Sequence, residues 1–352
     1  MNPFTRLFGI TPKQPPPQQE PPQHQELPTE RKRLPHLHRL KDNKPAFELQ
    51  DRDLDILLSV LENRFLNADL LKLLFPPNKA KTPPHVFTSK PTRSGTNIDR
   101  RLSKLFHHGY LHRIRTDING KLFYALTSKG AQLIADRQLP LPFNLTLLTD
   151  WEEKNRDLSH HYLEHTVMVS RFFTSLICGG REHPTIQLTR YEREGEGIKE
   201  EWRSAKQSVL VFPDAFCVLH DATKQEHPTA YFLEADRGSM RLARVLEKYK
   251  RYSLLHENRH AYGLQNFSVL TVCKSKERAR NILQLAAAEI SPIPQHLKKF
   301  FFFTSEERYK DAPSNVFAQI WWRGDEYNPS HGEGEEPTPL RSILRADPLR
   351  RR

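Results

Sequence analysis

The stretch TNIDRRLSKLFHHGYLHRIRTDINGKLFYALTSKG, residues 96–130, decides the fold of the first half of the chain. Thr96, followed three residues later by Asp99, is typical of a helix start. Apolar residues then recur at helical spacing as far as Phe106, and Gly109 supplies a left-handed stop. The sequence therefore predicts a short amphipathic helix whose second face is basic.

Two strand-like runs follow this helix. Leu111–Thr116 and Lys121–Leu126 enclose an Asn-Gly pair, which is typical of a tight β-hairpin. A helix with a basic face and a hairpin with basic residues near its tip suit a DNA major groove and the adjacent phosphates. The candidate DNA-binding residues are Asn97, Arg100, Arg101 and Lys104 on the helix, and Arg115 and Lys121 on the hairpin.

Two further amphipathic helices precede this stretch. The apolar residues of the first lie between Leu54 and Leu61, and those of the second between Leu70 and Phe75. Three helices and a hairpin predict a winged helix-turn-helix domain over residues 46–140. A basic insertion, residues 76–95, separates the second helix from the third, and it is either a phosphate-binding loop or inert.

The composition agrees with a nucleic-acid partner. Lys and Arg number 54 against 42 Asp and Glu, which gives a net charge of +12 and favours double-stranded DNA. The 37% content of hydrophobic residues is low, so we expect disorder in the Pro/Gln-rich tail 1–45 and in the basic tail 326–352. The three widely spaced cysteines and the absence of a long apolar run predict a cytoplasmic protein without a membrane segment.

The second half, residues 151–325, predicts a mixed sheet covered by helices. A long helix from Leu158 is followed by three strand-like runs, the first of which is Ile186–Arg193. A helix, a fourth strand-like run over Phe267–Cys273 and another helix come next. The chain is thus predicted to be an α+β protein of two domains with disordered termini. It contains neither GxxxxGK[ST] nor GxGxxG, which leaves nucleotide-driven functions without support.

Acidic residues end two of these strands. Asp214 belongs to a Pro-Asp step, and the run YFLEADRG carries Glu234 and Asp236. Two strand-end carboxylates side by side can hold Mg²⁺, which activates water and polarises a phosphate. The alternative is that they are ordinary strand-end acids and that Asp236 forms a local ion pair with Arg237.

The element order, the Pro-Asp step and the later Glu-x-acid step resemble the PD-(D/E)xK nuclease-like fold. The resemblance implies metal ligands at Asp214, Glu234 and Glu164. The position at which these nucleases carry a catalytic lysine is Asp236 here, which is a departure from the pattern. Lys248, in EKYKRY, is the candidate substitute, so the candidate catalytic residues are Asp214, Glu234, Asp236 and Lys248.

A winged helix followed by PDAFCVL, FLEADRGS and EKYKRY is also similar to the plasmid replication-relaxation family. That resemblance implies a DNA-binding protein in plasmid replication and DNA relaxation, with the second domain as a nuclease-like scaffold. Two alternatives stay open, a Mg²⁺-dependent nicking endonuclease and a winged-helix transcriptional regulator. A homodimer and other replication or mobilisation proteins are further candidate partners.

A rival motif lies on the first helix of the second domain. His161, Glu164 and His165 match HxxEH, the inverted zinc-peptidase pattern, in which two histidines of one helix face bind zinc. A third protein ligand would still be required, and a five-residue pattern arises easily among 17 histidines. The motif is therefore a much weaker indication than the paired strand-end acids.

Overall fold

The computed structural model describes residues 37–76, 98–115, 121–137, 158–193, 211–223, 228–262, 264–328 and 340–344. Helices and strands alternate in two groups, an N-terminal region (described residues 37–137) and a C-terminal region (described residues 158–344). Each region contains its own sheet. The predicted α+β class is confirmed.

The N-terminal region consists of four helices and a small antiparallel sheet in the order β1-β3-β2. Strand β1 pairs with β3 through Leu66 and Tyr124, and Arg113 of β2 faces Tyr124 from the other side. The elements are α1 (Asp51–Asn63), β1 (Leu66–Asn67), α2 (Ala68–Leu74), α3 (Ile98–His107), β2 (Leu111–Arg115), β3 (Leu122–Leu126) and α4 (Ser128–Ala135).

Short polar side chains fix the ends of these helices. Asn67 Oδ1 accepts a hydrogen bond from Leu70 N at 2.9 Å and so begins α2, and Thr127 Oγ1 accepts one from Gly130 N at 3.0 Å and begins α4. After α3 the chain turns at Gly109, whose φ of 82° favours glycine. The apolar faces of the four helices then meet in one buried cluster.

The C-terminal region is built on a six-stranded sheet in the order β4-β5-β6-β7-β8-β9. The first three strands are antiparallel, β6, β7 and β8 are parallel, and β9 is antiparallel to β8. The elements are α5 (His160–Glu182), β4 (Ile186–Arg193), β5 (Ala215–Asp221), β6 (Thr229–Asp236), α6 (Leu242–Glu257), β7 (Phe267–Cys273), α7 (Lys276–Ala287), β8 (Phe301–Ser305) and β9 (Trp322–Arg323).

Both faces of this sheet are buried, because successive side chains of a strand point to opposite faces. Phe232 of β6 packs into a cluster with Tyr249 and Tyr252 of α6. Its neighbour Leu233 packs into the opposite cluster with α5 and Trp321. The sheet is therefore a middle layer, with α6 and α7 on one face and α5 on the other.

Helix α5 connects the two regions. Ser170 Oγ donates to Asn63 O at the end of α1 at 2.9 Å, and Arg181 donates to carbonyl oxygens at the end of α2. From β4, Arg193 Nη2 reaches Leu61 O at 3.1 Å. These bonds satisfy carbonyl groups that a helix end leaves without a partner, which ties both regions into one compact unit.

Parts of the predicted tails lie within the described residues. Of the tail predicted for 326–352, residues 340–344 pack on the C-terminal region, where Ile343 is buried and Arg341 bridges to Trp321. Burial of this apolar side chain corrects the expectation of disorder for those five residues. Residues 77–95 of the predicted insertion fall outside the described residues.

Candidate functional site

The first candidate site is the outward ridge of α3. Ile98, Leu102 and Leu105 point into the core, whereas Arg100 is exposed and Lys104 is half-buried. Arg100 and Lys104 are four residues apart and therefore neighbours on the helix surface, with His108 as the next position of the same ridge. Asn97, also predicted to bind DNA, lies outside the described residues.

Arg101 does not belong to this ridge, which corrects its predicted role in DNA binding. Its Nε donates to Asp53 Oδ1 at 2.6 Å, its Nη2 pairs with Asp53 Oδ2, and Nη2 also donates to Glu48 O at 3.0 Å. Arg101 is only 5% exposed, and its guanidinium lies over the ring of Phe47. It joins α3 to the start of α1 and cannot reach DNA without breaking that pair.

The hairpin carries the other two predicted DNA-binding residues. Arg115 ends β2 and is half-buried, and Lys121 immediately precedes β3 and is exposed. Lys121 Nζ lies 3.1 Å from Asp69 Oδ2, in a pair that is exposed on both sides and therefore easily exchanged for another anion. Residues 116–120 between the strands are outside the described part.

The second candidate site lies where β5 begins and β6 ends. The two strands are antiparallel, so Asp214, just before β5, lies beside the last residues of β6. Asp214 N donates to Leu233 O at 3.0 Å, and Asp214 Oδ2 accepts from Ala235 N at 2.7 Å. Sheet register thus brings Asp214 and Glu234 together, as the sequence predicts.

Glu234 is buried with both carboxylate oxygens occupied. Lys248 Nζ of α6 lies 2.5 Å from Oε2, and the Tyr252 hydroxyl donates to Oε1 at 2.6 Å. Burial and the nearby charge of Asp214 raise the pKa of Glu234 to about 7, although Lys248 and Tyr252 act in the opposite direction. This carboxyl can therefore change protonation near neutral pH.

Asp214 has the opposite balance. Burial alone would raise its pKa, but the hydrogen bond from His165 and the positive charge of Lys248 outweigh burial. The pKa of Asp214 is consequently lower than its ordinary value. His165 Nε2 lies 3.2 Å from Asp214 Oδ1, so both oxygens of this carboxylate also have partners.

The remaining two acids are paired as well. Arg278 of α7 donates to both oxygens of Asp236, at 2.9 and 3.1 Å, and Gly238 N donates to Oδ1 at 2.6 Å. Arg237 pairs with Glu164 of α5. Arg237 thus bridges to α5, and Asp236 takes its cation from α7, in place of the local Asp236–Arg237 pair that the sequence suggested.

A cavity of about 300 Å³ opens between α5, the end of β6 and α6. Its wall is mixed in charge, since it contains carboxylates, a lysine, an arginine and histidines. The lining residues that belong to the candidate site are His161, His165, Asp214, Glu234, Asp236, Arg237 and Lys248.

Comparison with known protein families settles the relationship that these features suggest. The family model described as replication-relaxation matches residues 59–269, which run from α1 to β7 and include both candidate sites except Arg278. The chain belongs to the replication-relaxation family. No curated protein and no solved structure matches it.

Membership of the replication-relaxation family supports a role in plasmid replication and relaxation. None of the helices among the described residues has the length and apolar character that a membrane span requires.

The acid cluster of this replication-relaxation protein does not fit a resident divalent ion. Mg²⁺ requires free carboxylate oxygens, but Asp214, Glu234, Asp236 and Glu164 each contact a basic side chain. In the part of the chain that the structure describes, no group of three or more His, Cys, Asp or Glu residues could hold a metal ion. Lys248 instead brings its ammonium group to Glu234.

The residues of the zinc-peptidase motif likewise contact other side chains. Glu164 pairs with Arg237, His165 contacts Asp214, and the Nδ1 of His161 lies 3.4 Å from Arg237 Nη1. The two histidines therefore have different partners, although they share one helix. This arrangement gives zinc no ready pair of ligands.

Sequence reasoning did not pair His165 or Arg278 with these acids, and it assigned Arg237 to Asp236 instead of Glu164. His165 and Arg278 come from helices on opposite faces of the sheet, and Arg278 is 42 residues from Asp236. A usable signal was nevertheless present, because each acid at a buried strand end requires a compensating charge. Basic residues of the flanking helices are the natural candidates for that role.

Proposed function

We propose that this replication-relaxation protein binds double-stranded DNA through a winged helix formed by residues 46–140. The observation that carries the proposal is the ridge of Arg100 and Lys104 on α3, whose opposite face is fixed in the core. A rigid helix that projects cations is suited to entering a major groove. Arg115 and Lys121, which flank the loop at the tip of the hairpin, are proposed to contact phosphates beside that groove.

The proposal is tested by titrating a fluorescently labelled duplex of about three helical turns. The variant Arg100→Ala/Lys104→Ala is expected to bind at least about tenfold more weakly, because an arginine that reads a base contributes ~1–3 kcal/mol. A matched control, Lys250→Ala/Arg251→Ala, removes the same charge from exposed positions of α6. Equal affinities for wild type and the α3 variant would overturn the assignment of α3.

We further propose that residues 151–325 form a nuclease-like scaffold without metal chemistry of their own. The paired state of the four carboxylates supports this, because a buried charge that is matched by a neighbour stabilises one arrangement of the elements around it. Helices α5, α6 and α7 each provide a basic partner, so the cluster connects three helices to the start of β5 and the end of β6.

The competing function is a Mg²⁺-dependent nicking endonuclease that uses Asp214 and Glu234. One observation favours it, namely that both carboxylates line the same cavity. In this case the acids would have to exchange Lys248 and His165 for the ion. The two proposals therefore differ in whether a divalent cation binds at all.

Incubation with supercoiled plasmid separates these two functions. Wild-type protein, Asp214→Ala and Glu234→Ala are compared in Mg²⁺, Mn²⁺ and EDTA, and bound and nicked plasmid are resolved on gels. We expect shifted plasmid without conversion to open circle, and a thermal midpoint that Mg²⁺ leaves unchanged. Nicking by wild type that is lost in both variants and in EDTA would establish the endonuclease instead.

A further inference from the structure

An extended segment packs against the C-terminal end of α3. This segment, residues 37–47, is called the N-terminal arm below, and it precedes α1 without forming a helix or strand. Only two of its side chains, those of Pro45 and Phe47, are partly buried. Specific polar and ring contacts, rather than an apolar core, therefore hold the arm in place.

Arg39 is the first of these contacts. Its Nε donates to Phe106 O at 3.2 Å and its Nη2 to Leu111 O at 3.4 Å, so one side chain spans the turn between α3 and β2. The next residue, Leu40, donates its backbone N–H to His107 Nδ1 at 3.2 Å. The arm is thus bonded to the last turn of α3.

The other end of the arm meets the ridge that carries Arg100 and Lys104. His108, the next position on that ridge, has its Nε2 at 2.9 Å from Pro45 O. The ring of Phe47 stacks on the His108 ring with the centroids 4.7 Å apart. The last residues of the arm therefore adjoin the C-terminal end of the basic ridge of α3.

Between these anchors the arm exposes Lys41 and Lys44 to solvent. The arm has three basic residues against one acid, Asp42, so its net charge is positive. Lysines on an extended segment can follow a phosphate backbone. Lys41 and Lys44 are exposed and do not belong to the buried cluster that holds α3.

We propose that the N-terminal arm is a phosphate-binding extension of the α3 surface, in which Lys41 and Lys44 contact the DNA backbone next to the groove that α3 occupies. Arg39 acts as the positioning residue that holds the arm on α3. The proposal rests on the proposed DNA binding by α3. It adds contacts that strengthen binding to every sequence equally, because phosphates carry no base identity.

The test is the salt dependence of binding by the full chain. Each phosphate contact contributes about −0.9 to the slope of log K against log salt, so Lys41→Ala/Lys44→Ala is expected to reduce that slope by about 1 to 2. We expect affinity at low salt to fall by the same several-fold factor for two duplexes of unrelated sequence. Lys250→Ala/Arg251→Ala is the charge-matched control, and thermal midpoints check that each variant is folded.

The outcomes distinguish the arm from α3. An unchanged slope for Lys41→Ala/Lys44→Ala, together with weakened binding by Arg100→Ala/Lys104→Ala, would overturn the arm and leave the α3 proposal intact. A fall in affinity that differed between the two duplexes would also overturn it, because it would show that the lysines contact bases. If neither double variant changed binding, the α3 proposal would fail and the arm proposal with it.

Discussion

The α3 ridge and the acid cluster of the C-terminal region treat charge in opposite ways. Arg100 on the ridge is exposed to solvent, whereas Glu234 in the cluster is 6% exposed and contacts Lys248 and Tyr252. Exposed cations remain available to a partner, and buried acids with internal cations do not. The comparison thus supports the proposals that the N-terminal region binds DNA and that the acid cluster is a structural centre.

The same contrast exists between neighbours in the sequence. Arg100 and Arg101 are adjacent, yet only Arg101 turns inward to Asp53. A residue's charge alone therefore does not predict its role. Its position on the helix relative to the apolar face decides whether its side chain is exposed to solvent or forms a buried ion pair.

The largest expected effect is that of Arg101→Ala. Removal of one partner from a buried pair leaves the Asp53 charge uncompensated, which costs about 3–5 kcal/mol of unfolding free energy. Denaturant titration measures the loss, and Arg100→Ala, at the adjacent exposed position, should stay within about 0.5 kcal/mol of wild type. If Arg101→Ala instead kept full stability and lost only DNA affinity, Arg101 would return to the binding surface.

The second prediction concerns the pH dependence of stability at Glu234. Its folded-state pKa is raised from 4.5 to about 7, so between these values the folded protein holds a proton that the unfolded chain has released. Stability therefore falls as pH rises through this window and levels off above it. Glu234→Gln lacks this titration. The unfolding free energy of wild type minus that of the variant should therefore fall by on the order of 3 kcal/mol as the pH rises through this window.

Denaturant titrations of both proteins at several pH values between about 4.5 and 8 measure that difference. Asp214, with its lowered pKa, stays ionised throughout the window and loses its stabilising contribution only at more acidic pH. A difference independent of pH would mean that Glu234 remains ionised against Lys248, as in an ordinary salt bridge.

The third prediction tests how much the second partner of Glu234 contributes. Tyr252→Phe removes a hydroxyl that donates to a carboxylate, and hydrogen bonds to charged groups contribute about 1.5–3 kcal/mol. The loss should be larger above pH 7 than near pH 5, because Glu234 is ionised only at the higher pH. The matched control is Tyr249→Phe, whose hydroxyl bonds the neutral Thr271 at 2.7 Å and should cost about 1 kcal/mol at either pH.

Much of the fold was predictable because its elements have strong periodicity. Ile186–Arg193 and Phe267–Cys273 form strands with the predicted bounds. The two-residue strand β1 was not predicted, since a pair of residues has no period to detect. Residues 37–45 were expected to be disordered as part of the tail 1–45, but they pack on α3. Polar contacts hold them there, and such contacts leave no apolar spacing in the sequence.

The candidate site was predictable only in part. Sheet neighbours follow from strand order, so Asp214 and Glu234 were correctly expected to meet. Lys248, the partner of Glu234, was expected at the site from the resemblance, whereas His165 and Arg278 were not, because the rotation and packing of a helix on a sheet cannot be read from one sequence. Arg101 is different, because its position three residues after Ile98 already placed it on the apolar face of α3.

The smallest expected effect is that of Lys72→Ala, which breaks an exposed ion pair. Lys72 Nζ and Asp99 Oδ2 form a pair at 2.7 Å, but the two side chains are 49% and 67% exposed. Water and salt screen such a pair, so Lys72→Ala should change the unfolding free energy by less than about 1 kcal/mol, although Arg101→Ala also breaks a contact between a basic side chain and an aspartate. Denaturant titration at low and high salt tests this. A loss as large as that of Arg101→Ala would show that exposure is not what separates the two kinds of charge in this protein, and the division between a binding surface and a structural centre would have to rest on geometry alone.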